Sequence, residues 1–187
     1  MKKKMFAFST KTIVAIGLGA ALCTLLFMYV KIPTPIPETQ IQTANGVYGF
    51  FGALFGPIAG GLIAFIGHAL SDSVQYGSAW WSWVIASGTC GFLIGLVYPY
   101  LHIEDGVFGG KDILIFNGVQ IAANALCWIL VAPVLDIVIY AEPANLVFTQ
   151  GAVAFITNAI GTGVIGTLLL FAYSKTRSKK GSLTKSE

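Results

Sequence analysis

Thr10 to Gln42 reads TKTIVAIGLGAALCTLLFMYVKIPTPIPETQIQ: an apolar run, then three prolines at alternate positions (Pro33, Pro35, Pro37), then glutamines. With Lys2, Lys3 and Lys4 ahead of it, the apolar run has the charge layout of a signal peptide. Its end does not fit, because Phe27-Met28-Tyr29-Val30 offers no small-residue cleavage site. The run is therefore a retained membrane helix, and the rest of the chain is read from that starting point.

The remaining composition agrees. The chain is 187 residues long, 56% hydrophobic and 10% charged, where a soluble domain carries about a quarter charged residues. Measured against the roughly 20 residues needed to cross a bilayer core, six apolar segments emerge: Thr12–Val30, Ile41–Phe55, Pro57–Leu70, Trp81–Tyr98, Asp112–Ala132 and Leu146–Tyr173. The second and third are short and separated only at Gly56-Pro57, which predicts a tight helical hairpin or a broken pair. The expected fold is an all-α integral membrane protein, a compact bundle of six transmembrane helices. Residues 1–11 form a basic N-terminus, 12–173 the membrane domain, and 174–187 a basic tail suited to anionic lipid headgroups.

Basic residues set the orientation. With six spans, Lys2, Lys3, Lys4 and Lys11 share a side with Lys111 and with Lys175, Arg177, Lys179, Lys180 and Lys185. Both termini are thus expected in the cytoplasm. The outer connections carry Lys31 against Glu38, Asp72, Asp136 and Glu142. Cys23, Cys90 and Cys127 all fall inside apolar spans, where a buried thiol is inert.

Three motifs mislead. Gly161-Thr162-Gly163-Val164-Ile165-Gly166 spells GxGxxG but sits inside an apolar span and follows no strand, so helix packing is the better reading. Gly109-Gly110-Lys111-Asp112 lacks the Ser or Thr and the upstream glycine of a phosphate-binding loop. His68 and Asp72 stand four apart, a spacing that suits a metal pair or an acid and base, yet no further His or Cys supports them at ligand spacing. The reading calls for no metal, cofactor or nucleic acid.

Polar residues within the spans gather toward the expected outer face. Asn117, Gln120, Asn124 and Trp128 follow steps of 3, 4 and 4 along one helical stripe. Gln40, Gln42, Asn45 and Tyr48 crowd the start of the second span; His68, Ser71, Asp72, Gln75 and Tyr76 crowd the end of the third, followed by Trp80, Trp81 and Trp83. Gln150, Thr157 and Asn158 project from the sixth. Amides that join helices and tryptophans in an interfacial belt are one explanation. Their convergence on one region supports the other, a pocket for a large, mostly neutral small molecule. In the first span the pairs Ala15/Gly19 and Gly17/Ala21 make a surface for close helix packing, either within the bundle or against another membrane protein.

IPTPIP with its following glutamines, FGPIAGGLIAFIGHALSD, WWSWVIASG, KDILIFNGVQIAANALCW and the AP, LD and VIY of residues 132–140 resemble the ECF-type riboflavin transporter S-component family. The resemblance runs from about Lys11 to Tyr173. It implies a six-helix capture subunit in the bacterial plasma membrane, with no chemistry of its own, that binds a vitamin-like solute at its outer face. Its implied partners are a transmembrane coupling subunit and two ATP-binding subunits.

On this resemblance the solute is held by a set drawn from Asn45, Tyr48, His68, Asp72, Tyr76, Trp80, Gln120, Asn124, Trp128 and Asn158, and docking uses Ala15, Gly17, Gly19 and Ala21. Pro33, Pro35, Pro37 and Gln40 belong to a lid, for which an extended Lys31–Thr39 segment would reach roughly 25 to 30 Å. The resemblance leaves riboflavin, cobalamin and methionine-related solutes open. A self-sufficient carrier or channel, and an intramembrane enzyme built on His68 and Asp72, are the competing classes.

Overall fold

The computed structural model describes residues 9–37 and 39–177, so Glu38 and most of the two basic termini lie outside the described residues. Helix α1 (Thr10–Tyr29) begins where the Ser9 hydroxyl accepts the Thr12 N–H at 3.1 Å, a side-chain cap for an otherwise orphan donor. It ends at the proline segment, whose missing N–H groups cannot continue a helix.

That segment does not stretch out as expected. Strands β1 (Lys31–Pro33) and β2 (Gln40–Gln42) pair antiparallel, with Lys31 opposite Gln42 and Pro33 opposite Gln40. Thr34 closes the turn, its N–H and hydroxyl both donating to the Thr39 carbonyl at 3.2 and 2.7 Å. Proline is tolerated at the edge of such a ribbon, where a missing donor breaks little. The Thr43 hydroxyl then donates to the Val30 carbonyl at 2.7 Å, so the connector's two ends lie side by side.

Helix α2 (Ala44–Phe55) has 12 residues, about 18 Å of helix at 1.5 Å per residue, which is too short to cross the hydrocarbon core. It lies within the bundle, packed on α1, α3 (Pro57–Tyr76), α4 (Trp81–Gly95) and α6 (Ala144–Lys175). Among the described residues five helices, not six, are long and apolar enough to span a membrane. Between α2 and α3 the chain turns sharply at Gly56, whose φ of 94° is a glycine conformation, and Pro57 opens α3 at a position where no N–H is needed. Helix α3 runs past the predicted Leu70 end to Tyr76. Asp72, expected in a connection, is therefore on the helix.

The largest departure is α5 (Gly110–Tyr140), which continues through Pro133 instead of stopping at Ala132. One widened turn, Leu126–Val131, in which the Ala132 N–H reaches back to the Cys127 carbonyl, precedes the proline and keeps the helix going. Asp136 consequently moves from a predicted loop to a helix interior, where it is 2% exposed. Helix α6 contains a second widened turn, Thr162–Gly166. The GxGxxG letters lie here as a packing surface, since a Cβ at Gly166 would meet Phe116 at 2.7 Å. The Asp112 carboxylate accepts the Gly109 N–H at 3.0 Å, so the other glycine motif is a helix start.

Candidate solute-binding cavity

The end of α1, the start of α2, the end of α3, the start of α4, the end of α5 and the start of α6 meet around one cavity of about 570 Å³. This is within the range of small-molecule sites. The hairpin contributes Thr39, Gln40 and Gln42 to its wall, and Gln150 on α6 donates to the Pro37 carbonyl at 3.0 Å. Lys31 at the rim donates to Gln75 at 2.7 Å and to the Tyr76 hydroxyl at 3.3 Å. The hairpin is thus joined to α3 on one side and to α6 on the other.

Of the ten residues expected to hold a solute, Asn45, His68, Asp72, Tyr76, Trp80, Trp128 and Asn158 line this cavity, as does Gln40. Tyr48, Gln120 and Asn124 do not. Tyr48 is fully buried in the core, among the side chains beneath. Gln120 and Asn124 are buried within a hydrogen-bonded series that ends on the cavity wall: the Trp128 indole donates to Asn124 at 2.8 Å, and the Asn124 amide donates to Gln120 Oε1 at 3.0 Å. Gln120 in turn donates to the Ala159 carbonyl at 3.1 Å, beside the widened turn of α6. The stripe seen in the sequence orients a ring rather than facing the cavity.

Replacing Asn124 by alanine leaves the Trp128 indole N–H and the Gln120 Oε1 unpaired in the interior. Each such loss costs about 1–3 kcal/mol. The expected result is a lower melting temperature together with an altered tryptophan emission spectrum, because Trp128 loses the contact that orients its ring. An unchanged spectrum would mean that packing alone holds the ring.

Asp136 is the principal residue that the sequence reading did not place in the site. Its Oδ1 accepts the Trp80 indole at 2.7 Å and the Ser82 hydroxyl, and its Oδ2 accepts the Trp83 indole at 2.6 Å. An indole N–H can only donate and an ionised carboxylate only accept, so the three partners match in kind. Trp80 is also held from behind, with its backbone N–H donating to Asp72 Oδ2 at 3.1 Å and its ring against Tyr140 at 4.4 Å. Trp83 stacks on Trp128 at 5.5 Å. Three indoles therefore present fixed faces to the cavity. The signal was available in the periodicity, since Trp128, Ala132 and Asp136 extend the stripe by two further steps of four.

The other polar groups divide into satisfied and unsatisfied. His68 stacks on Phe27 at 4.6 Å, pairs through Nδ1 with the Ser87 hydroxyl at 2.8 Å, and lies 3.5 Å from Asp72 through Nε2. The Ser71 hydroxyl accepts from Gln75 at 2.8 Å and the Ser73 hydroxyl donates to the Ala69 carbonyl at 2.7 Å, so neither serine is paired with His68. Asn45 and Asn158 differ. They are 1% and 3% exposed, yet both amide atoms of Asn45 and the Asn158 Oδ1 have no partner among the described residues. Buried amides are normally satisfied, and here they border a cavity.

The four small residues of α1 also separate. Ala15 and Gly19 are buried, and a Cβ at Gly19 would meet Ile63 at 2.7 Å, so this pair packs inside the bundle. Gly17 and Ala21 face outward, with nothing within 4 Å of a Cβ at Gly17.

Fold and site together define a multi-pass helical membrane protein with an aromatic and amide-lined cavity at one end of its bundle. The family described as ECF-type riboflavin transporter, S component, matches residues 7–175, and the chain belongs to that family. A UPF0397 protein of Streptococcus gordonii is 52% identical over 185 residues, covering 98% of this chain and 99% of the relative. A UPF0397 protein of an Exiguobacterium species is 54% identical over 179 residues, covering 96% and 98%. Among solved structures, that of FolT bound with folic acid shares the fold at a TM-score of 0.60 and 14% identity, covering 85% of this chain and 94% of FolT.

Proposed function

We propose that this chain is the solute-capturing subunit of an ECF-type importer, taking up a vitamin-like molecule from outside a bacterial cell. In this reading the short α2 completes a sixth crossing together with the β2 segment that leads into it, both termini are cytoplasmic, and the cavity opens outward. A flat ring system stacks on the indoles of Trp80, Trp83 and Trp128, while Asn45 and Asn158 meet donors and acceptors on its edge. The β1–β2 hairpin acts as the lid. Gly17 and Ala21 supply the contact for a transmembrane coupling subunit, and two ATP-binding subunits supply the energy.

The observation that carries the reading is the pairing of buried, unpartnered amides with oriented indoles in one cavity. Its volume of about 570 Å³ suits a flat heterocycle of riboflavin type better than a corrin macrocycle with its appended nucleotide. His68 and Asp72 are read as supports for Phe27 and Trp80 rather than as an acid and base.

The test is mass spectrometry of small molecules that co-purify with the detergent-solubilised protein, followed by titration of each hit. A stoichiometric vitamin with nanomolar affinity is expected. A protein that arrives empty and binds none of riboflavin, cobalamin or methionine, alone or with its ATPase partners, would reject the capture role.

A further inference from the structure

We infer that the cavity selects by charge: it accepts a neutral or positively charged solute, excludes anionic ones, and uses Glu142 to receive a hydrogen-bond donor of that solute. This rests on the capture reading above and specifies the chemistry of the same site.

Among the described residues three carboxylates, those of Asp72, Asp136 and Glu142, line the cavity, and no lysine or arginine does. Lys31 stands outside this lining, its ammonium engaged at the rim by Gln75 and Tyr76. Two of the three carboxylates have their partners within the protein. Asp136 is taken by two indoles and a hydroxyl, and Asp72 by the Trp80 N–H and His68. Glu142 differs: it sits half-buried in the short turn between α5 and α6, and among the described residues its side chain has no hydrogen bond or ion pair.

An acidic cluster alone would not define a site. The independent sign of a ligand is Asn45, which is 1% exposed, borders the same cavity, and has both amide atoms unpartnered. Beside the unpartnered Gln42 Oε1 and Asn158 Oδ1, Asn45 on α2 and Glu142 at the α5–α6 turn thus give the cavity a further pair of unfilled polar positions on different elements. One reads an edge bearing both donors and acceptors, and the other accepts only. In a cleft with apolar walls, like charges focus the field and raise the local concentration of the opposite ion. A phosphate or carboxylate would enter against three carboxylates, with no lysine or arginine among the described lining residues to receive it and with the His68 imidazole already facing Asp72. An amine, an amidinium or a ring N–H would find Glu142.

Fluorescence quenching tests this without a known ligand. The chain has four tryptophans, and three of them, Trp80, Trp83 and Trp128, line the cavity. A W81F variant therefore reports on the cavity alone, and the unsubstituted chain serves if W81F does not purify. In neutral detergent at low salt, and with each constant divided by that of the same quencher on free N-acetyltryptophanamide, caesium is expected to quench at least about threefold more strongly than iodide, with neutral acrylamide reporting access alone. E142Q should bring the caesium and iodide constants closer together.

Normalised iodide quenching equal to or stronger than normalised caesium quenching overturns the inference, as does an E142Q variant with an unchanged ratio. A co-purified solute with net negative charge also overturns it while leaving the capture reading intact. Tryptophans that none of the three probes reach would instead remove the solvent-accessible cavity on which the capture reading stands.

Discussion

Asp136→Ala is expected to destabilise the protein and to disorder the cavity together. The substitution leaves the Trp80 indole, the Trp83 indole and the Ser82 hydroxyl without the acceptor they now share. Removing one partner of a buried polar cluster costs more than the hydrogen bonds themselves contribute, because the remaining donors stay desolvated. Some water reaches them through the cavity, so the expected loss is on the order of 3 kcal/mol rather than the full sum. At about 2–4 °C per kcal/mol for a chain of this size, the melting temperature should fall by roughly 6–12 °C.

Binding should suffer more than stability does, since two of the three stacking faces lose their orientation. Asp136→Asn keeps one acceptor oxygen and should fall between the two. A melting temperature and emission spectrum both unchanged in Asp136→Ala would show that the carboxylate is not what holds the rings.

Gly60→Val is expected to yield no folded protein. Helices α3 and α4 cross with their backbones almost in contact at this position. A Cβ at Gly60 would stand 2.9 Å from the Gly52 Cα and 3.1 Å from the Gly91 carbonyl carbon, and closer still to the Gly91 oxygen. All three are main-chain atoms, so no rotamer change makes room, and the helices must part. Overpacking that displaces backbone costs about 1–3 kcal/mol per small addition and more when the added group is branched. Parting these helices would also open the contact of α2 with both.

Gly17→Val is the matched control, because a Cβ there meets nothing within 4 Å. It should purify and melt like the unsubstituted chain, and on the proposed function it should lose assembly with the coupling subunit. Size-exclusion chromatography in detergent distinguishes the outcomes. A monodisperse, cooperatively melting Gly60→Val protein would mean that the crossing is looser than its geometry indicates.

The two variants probe different layers of the molecule. Gly60 acts where helices meet, in a region that could be recognised as a glycine-rich apolar segment. Asp136 acts where a cluster closes across α4 and α5, and its partners are separated from it by more than fifty positions. The contrast follows from the kind of information each element carries.

Local composition was enough to identify a membrane protein, a first helix that ends at the proline segment, a break at Gly56-Pro57 and a concentration of amides and indoles toward one end. Each follows from hydropathy, from backbone limits on proline and glycine, or from helical periodicity, all of which act within a few residues. The path of α5 through Pro133 was not legible, because a widened turn upstream offsets the missing N–H and its placement depends on how Trp128 and Pro133 pack against Gly151 of α6. Without it Asp136 belonged to a loop. Likewise α2 has the hydropathy of a span, and only its enclosure by four neighbours identifies it as a buried half-length helix. The proline segment was correctly non-helical, yet Thr34 and Thr39 folded it into a hairpin by contacts that no single-residue preference encodes. The division between Ala15/Gly19 and Gly17/Ala21, and between amides that support a ring and amides that face the cavity, depended on which neighbour each helix face meets. That is a property of the assembled bundle, since a helix repeats its residues every 3.6 positions whatever lies beside it.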